Sequence, residues 1–331
     1  MRIPLSVLDL VPVADGTSAS EAIRRTVDLA QIADTGGYAR YWFAEHHGMG
    51  SVASAAPEIL IGHIAAATQR IRVGSGGIML PNHAPLKVAE TFRTLAALFP
   101  GRIDLGLGRA PGSDHAASRA LRAIDGHRFP ELLAELLAFC GLVPFAPHHP
   151  YRAVTAIPDD APLPPVWILG SSGASARYAG AAGMGYSFAS HFSPEPAAPA
   201  FNAYREAFTP SAAFEKPHTI LGVAAVCAPT ADEADWLART MDLAWLRIRR
   251  GEFRPLPSPE EASAYPYTAA DRDAIAEYRA RTLIGTPAQV RELIEARARE
   301  CGADEVMVVT NLHGHAPRLR SYQLLLTAFA D

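Results

Sequence analysis

Three short stretches of the chain hold the residue types and spacings that do chemistry. The first is Glu45-His46-His47, which follows the apolar run Tyr41-Trp42-Phe43-Ala44. Histidine changes charge near neutral pH, so at a strand end it suits proton transfer, hydrogen bonding or simple packing. Adjacent residues leaving a strand point in different directions. We therefore expect His46 to face inward and His47 to pack or bond a loop. Two rim histidines that only satisfy backbone carbonyls would read the same.

The second is a pair of glycine-rich strand ends, Gly74-Ser75-Gly76-Gly77 and Gly106-Leu107-Gly108-Arg109. Glycine late in a buried strand gives up packing and chain entropy. A tight turn explains one or two of these glycines. Two neighbouring ends stripped of side chains suggest a slot where backbone approaches a flat ring, with Arg109 at its edge. The third stretch, Gly170-Ser171-Ser172-Gly173-Ala174-Ser175, ends one strand and opens a helix. Free N–H groups, hydroxyls and the helix dipole bind anions there, although the serines also suit plain capping. Arg109 can reach the same phosphate with its forked guanidinium. A flat ring plus a phosphate is the chemistry of FMN or a relative. A metal centre is not expected, because His46 and His47 with distant His191 and His313 match no zinc spacing and the first strand offers only Asp9.

These stretches need strands to deliver them to one place. Apolar runs at 3–9, 38–44, 71–75, 103–107, 166–169, 186–189, 219–226 and 305–310 read as strands buried on both faces. Helical periods follow them, among them 57–69, 86–98, 231–249 and the closing 316–329. Eight alternations without a fixed repeat predict an α/β fold, a (β/α)8 TIM barrel over one domain, 1–331, with a doubly wound sheet as the alternative. Barrel sites form at the C-terminal strand ends. Rim insertions are expected at 109–127, 190–217 and 251–270, the last as a mobile lid or surface wrap. Helix 57–69 is apolar nearly all round, which suggests a subunit contact.

Composition narrows the function classes. With 331 residues, 49% of them hydrophobic, and a formal charge of −4, the chain can build a large core and shows no basic footprint for nucleic acid. The apolar N-terminus is broken by Pro4 and Asp9 and is too short for a signal core, and no stretch reads as a membrane span. Cys140, Cys227 and Cys301 are odd in number and widely spaced, which fits a reducing cytoplasm.

As a set, Ala44-Glu45-His46-His47, Val73-Gly-Ser-Gly-Gly-Ile-Met-Leu-Pro81, Ala84-Pro85 with Val88-Ala89-Glu90, and Gly101-Arg-Ile-Asp-Leu-Gly-Leu-Gly-Arg109 resemble the bacterial luciferase-like flavin monooxygenases. The resemblance covers almost the whole chain. It implies a barrel that takes reduced FMN (FMNH2) from a separate NAD(P)H:flavin reductase, reacts it with O2 through a flavin C4a-hydroperoxide, and oxygenates a small organic substrate. Two alternatives share the fold: a deazaflavin-dependent reductase or dehydrogenase, and a flavin-binding barrel without catalysis. By position His46 matches the family's active-site histidine. Gly76 and Gly77 match a pair joined by a non-prolyl cis peptide beneath the flavin, and Arg109, Ser172 and Ser175 match phosphate ligands. Gly108 stands where luciferase has a cysteine beside the flavin, and Ser171 replaces an acidic residue of the phosphate loop. The resemblance also implies a homodimer through helices 57–69 and 86–98.

Overall fold

A computed structural model describes residues 3–110 and 112–330. The first two residues, the last, and Pro111 of the 109–127 loop lie outside the described residues. Eight parallel strands close into a barrel: β1 (Leu5–Asp9), β2 (Arg40–Phe43), β3 (Arg72–Ser75), β5 (Ile103–Gly108), β6 (Val166–Gly170), β7 (Gly185–Ala189), β8 (Thr219–Cys227) and β10 (Glu305–Val309), with β10 pairing both β8 and β1. Two short strands are additions. β4 (Ile78–Met79) prolongs the line of β3 along β5, and β9 (Thr282–Gly285) pairs with the C-terminal half of β8. The fold is therefore a (β/α)8 barrel.

Its interior is packed in layers. Near the N-terminal end, buried Asp104 accepts from Arg40 Nη1 at 2.7 Å and Trp42 Nε1 at 3.2 Å, while buried Glu305 accepts from Arg40 Nε at 3.1 Å. Above them Trp42 and Trp167 meet edge to face at 5.4 Å, in one cluster with Leu8, Ile220 and Met307. Charged groups satisfied at the bottom and aromatics in the middle leave the C-terminal mouth for function.

A bulge breaks the sheet at that mouth. Gly74 faces Asp104 and Ile78 faces Leu107, so four steps on one strand run beside three on the other. Across the gap the Ser75 hydroxyl donates to Gly106 O at 2.8 Å and accepts from Gly106 N–H at 3.0 Å, replacing ladder bonds. The Gly76–Gly77 peptide within the bulge is cis.

The insertions differ from expectation in detail. Segment 190–217 is less an insertion than the outer helix of its βα unit: Ala197–Ala207 buries Ala200, Phe201 and Tyr204 and packs on helix Gly173–Ala181. Segment 251–270 wraps the surface and is tied down. Leu256 N–H donates to Val13 O at 2.8 Å, Asp15 N–H to Leu256 O at 2.9 Å and Gly50 N–H to Phe253 O at 3.2 Å. The helices Pro259–Ala264 and Ala269–Arg279 then pack on Ala231–Arg249. Among the described residues no helix is long and apolar enough to cross a membrane.

Candidate functional site

Strand β2 carries Glu45, His46 and His47 to the mouth, and the first and third of these bond each other. The Glu45 carboxylate is fully buried and faces the β4 side. It accepts from Met79 N–H at 2.8 Å and Asn82 Nδ2 at 3.0 Å, and it meets His83 Nε2 at 3.0 Å and His47 Nε2 at 2.8 Å. Burial pushes this carboxyl up, but His83, Asn82 and His47 outweigh it and hold it below its ordinary value. Burial likewise lowers His83, yet Glu45 dominates and raises it. Each partner thus favours the charged form of the other. His47 was expected to pack or bond a loop; it bonds the Glu45 carboxylate of its own strand end.

His46 is the other histidine. Its Nδ1 is buried without a hydrogen-bond partner, while its backbone N–H donates to Ser54 O at 3.2 Å. Burial lowers its pKa, against the raising effect of Glu45, so the ring is neutral at pH 7. A neutral imidazole can offer the mouth either a lone pair or an N–H.

The glycines of β3 and β5 are accounted for largely by protein. A Cβ on Gly76 would stand 2.7 Å from Leu8 Cδ1, one on Gly77 2.7 Å from Gly106 O, one on Gly106 2.0 Å from Ser75 O, and one on Gly108 2.7 Å from Met79 Sδ. Close backbone packing thus requires Gly77 and Gly106, whereas Gly76 and Gly108 meet the ends of flexible side chains that can give way.

The serine loop is better disposed to bind. β5 and β6 are neighbours with Leu107 opposite Ile168, so Arg109 and Gly170 leave the sheet side by side. Arg109 is exposed and makes no ion pair or hydrogen bond among the described residues. Ser172 is the N-cap of helix Gly173–Ala181, yet its hydroxyl makes no capping bond, leaving the first-turn N–H groups open. Ser171 is half-buried beside it. Ser175 is turned inward: its hydroxyl donates to Ser172 O at 2.9 Å and lies 3.2 Å from Tyr186 Oη. A methyl on Gly170 would strike that hydroxyl at 2.2 Å, so Gly170 exists to seat it. Ser175 can therefore reach an anion only through its backbone.

Four groups escaped sequence reasoning as parts of this mouth. Asn82 and His83 hold Glu45, and only a long-range fold brings them there. Arg177, one turn into the helix, places a guanidinium nitrogen 3.7 Å from where a Gly173 Cβ would be, and has no partner among the described residues. His191, just after β7, has a buried Nδ1 that lies against the Gly222 backbone without the alignment of a hydrogen bond. Burial pushes its pKa down to about 4, with nearby His46 adding to the effect. Among the described residues no three His, Cys, Asp or Glu side chains are grouped to hold a metal.

A closed barrel with half-buried histidines and open helix N–H groups at its C-terminal mouth has the layout of barrel enzymes that carry their active site on that face. A model of the luciferase-like monooxygenase family matches residues 3–305, and the chain belongs to that family. A luciferase-like monooxygenase of Escherichia coli (strain K12) is 42% identical over 327 residues, covering 98% of this chain and 96% of its own. The crystal structure of apo-MsnO8 superposes with a TM-score of 0.90 at 39% identity, covering 99% and 98% of the two chains. The oxygenating constituent of 3,6-diketocamphane monooxygenase from Pseudomonas putida, solved in complex with FMN, has a TM-score of 0.73 at 19% identity, covering 100% and 98%; that likeness is one of fold.

Proposed function

We propose that the protein is the oxygenating component of a two-component flavin monooxygenase that uses reduced FMN and O2 on a small organic substrate. The observation that carries this reading is His46: a half-buried imidazole whose Nδ1 is enclosed, held neutral, on a strand end one step from an anchored carboxylate, in a chain of this family. The phosphate of FMN would sit at the open N–H groups of residues 173–175 and the Ser172 hydroxyl, with Arg109 pairing from the neighbouring strand and Ser171 beside it. The ring would then extend over the Gly76–Gly77 and Gly108 strand ends. When bound and reduced, the flavin supplies the electrons that activate O2.

The rest is work for this chain's own groups. Glu45, fixed by four donors, sets the direction in which β2 leaves the sheet and so aims His46. His46 then donates or accepts one hydrogen bond at the mouth without carrying a charge there. The diketocamphane enzyme, whose oxygenating constituent is a separate part, supports a separate NAD(P)H:flavin reductase as partner. Exposed Ile59 and Leu98 on helices Pro57–Ala67 and Pro85–Leu98 support a homodimer through those helices. The three free cysteines support a cytoplasmic setting.

The test is rapid mixing of protein and photoreduced FMN with oxygenated buffer, following flavin absorbance. Reoxidation slower than that of free FMN, with more than one phase, is expected. Reoxidation at the rate of free FMN would move the reading to a deazaflavin on the same barrel, checked by direct titration.

A further inference from the structure

Beside the barrel mouth, between the loop after β1 and the start of helix His315–Ala328, lies a cavity of about 30 Å³. Room of that size takes about two waters or one compact anion. Arg25, His315 and Arg318 line it, together with Thr17 and Gly314. Arg318 is 5% exposed, and two of its three nitrogens are fixed: Nε donates to Thr310 O at 2.9 Å and Nη2 to Asp9 Oδ1 at 2.7 Å. Nη1 makes no hydrogen bond among the described residues, yet it is not sealed inside the protein, so it opens on the cavity that its side chain lines. A guanidinium buried this deeply with one nitrogen idle asks for an acceptor from outside the chain.

The surroundings favour a negative charge over a neutral acceptor. Arg25, at the end of helix Ala19–Arg24, gives one nitrogen to Glu21 and keeps the other two, and His315 Nε2 lies 2.8 Å from Asp28 Oδ2. Glu21, Asp28 and Asp9 all stand outside the cavity wall, so the wall holds cations and a hydroxyl without a carboxylate. Helix His315–Ala328 starts at the same spot. Its N-cap is Gly314, at φ 92°, which has no side chain to cap with, and its first turn holds no acidic residue. Orphan N–H groups and the positive end of the helix dipole therefore meet the cations there. A water answers one donor; an anion answers the arginines and the dipole together.

We propose that this cavity binds a compact monoanion, a carboxylate group or a chloride ion, on Arg318 Nη1, Arg25 and the first N–H groups of helix His315–Ala328. Arg318 supplies a fixed charge, because Asp9 and Thr310 hold its plane, and Arg25 closes the site from the surface. The site is separate from the flavin reading: β1 and β10 stand across the barrel from β6, which carries the serine loop. The loop that walls the cavity also holds the surface wrap, since Val13 O and Asp15 N–H both bond Leu256. An anion bound there ties that loop, and the wrap with it, to helix His315–Ala328.

The test is calorimetric titration and thermal unfolding of the full chain with sodium formate, chloride and sulfate, sodium methanesulfonate holding the ionic strength constant. Formate or chloride should give saturable heat and raise the unfolding midpoint, with sulfate too large to follow. Formate acting alone identifies a carboxylate group; chloride acting alone or equally well identifies a small ion. Arg25→Gln should weaken binding about tenfold or more, the loss expected for a charge-assisted hydrogen bond. Thr17→Asp sets a carboxylate in the wall, so it should raise the midpoint without added anion and abolish the response, whereas Thr17→Asn keeps the response. No response, or a non-saturating rise shared by all salts, means an adventitious ion only and overturns the proposal. Saturable binding that ignores both Arg25→Gln and Thr17→Asp, or binding of sulfate alone, overturns it too. A response lost in Arg109→Ala belongs to the phosphate site of the flavin reading and removes this one. A response that survives in a protein indifferent to FMN keeps this site and removes the flavin reading.

Discussion

His83 Nε2 stands 3.0 Å from both oxygens of the Glu45 carboxylate, so the loop after β4 is clamped to the end of β2 by a part-buried imidazole–carboxylate pair. The two groups titrate in opposite senses. His83 is raised above 6.5, so its contribution to stability is complete below 6.5 and is lost as pH rises through the raised value. Glu45 is lowered below 4.5, so its contribution holds above 4.5 and is lost as pH falls through the lowered value. The denaturation midpoint of wild type should fall as pH climbs through the His83 transition, and His83→Gln should lack that fall. Glu45→Gln at pH 6 should cost about 3 kcal/mol, the range for stripping one partner from a buried pair. A midpoint unchanged by Glu45→Gln would mean the clamp holds nothing.

His191 predicts the opposite slope. Its folded pKa is about 4 against 6.5 when unfolded, so the unfolded chain takes up a proton that the fold refuses. Stability should decline as pH drops from 6.5 toward 4, by up to about 3 kcal/mol for the full shift. His191→Gln should flatten that limb in urea titrations across the range. An unchanged limb would assign the acid sensitivity to other groups.

The barrel was legible because parallel strands are mostly apolar runs, and all eight can be read in the sequence despite residues such as Asp104 and Glu305. Helix Ala197–Ala207 was hidden by Pro194, Pro196 and Pro199, although Phe201 and Tyr204 keep a helical spacing. The two helices of 251–270 and beyond did carry signals, with Ser258 before Pro259 and a capping box from Thr268 to Asp271. The glycines were harder. Whether Gly77 makes room for a ring or for the Gly106 carbonyl depends on the bulge between β3 and β4, and register is not written in one strand. His191 read only as a distant metal candidate, because its packing against Gly222 lies one strand later.

Chemistry and cofactor binding should separate by mutation. His46→Ala should retain FMN affinity and lose turnover, because Glu45 still anchors the strand end while the open nitrogen is gone. Unchanged turnover would remove His46 from the reaction.

Arg109→Ala should weaken FMN about tenfold or more, since a charge-assisted hydrogen bond contributes about 1.5–3 kcal/mol. Ser172→Ala should follow in the same direction, and Ser175→Ala much less, because its hydroxyl is already spent on Ser172 O. Fluorescence titration of the three variants gives the order. Equal affinities for all three would place the phosphate elsewhere.

Subunit contact is testable on two side chains. Helices Pro57–Ala67 and Pro85–Leu98 lie together, with Leu95 Cδ2 3.4 Å from where a Gly62 Cβ would be, and they expose Ile59 and Leu98 at 69% and 64%. Burying either would stabilise an assembly by about 1.5–3 kcal/mol, and water gains nothing by leaving both bare. Ile59→Glu combined with Leu98→Glu should therefore convert a dimer to a monomer in light scattering at micromolar concentration. Leu293→Glu, on helix Pro287–Cys301 and 40% exposed, should leave the mass alone. Wild type already monomeric at that concentration would show that these two side chains face solvent, and the site would then have to be complete within one chain.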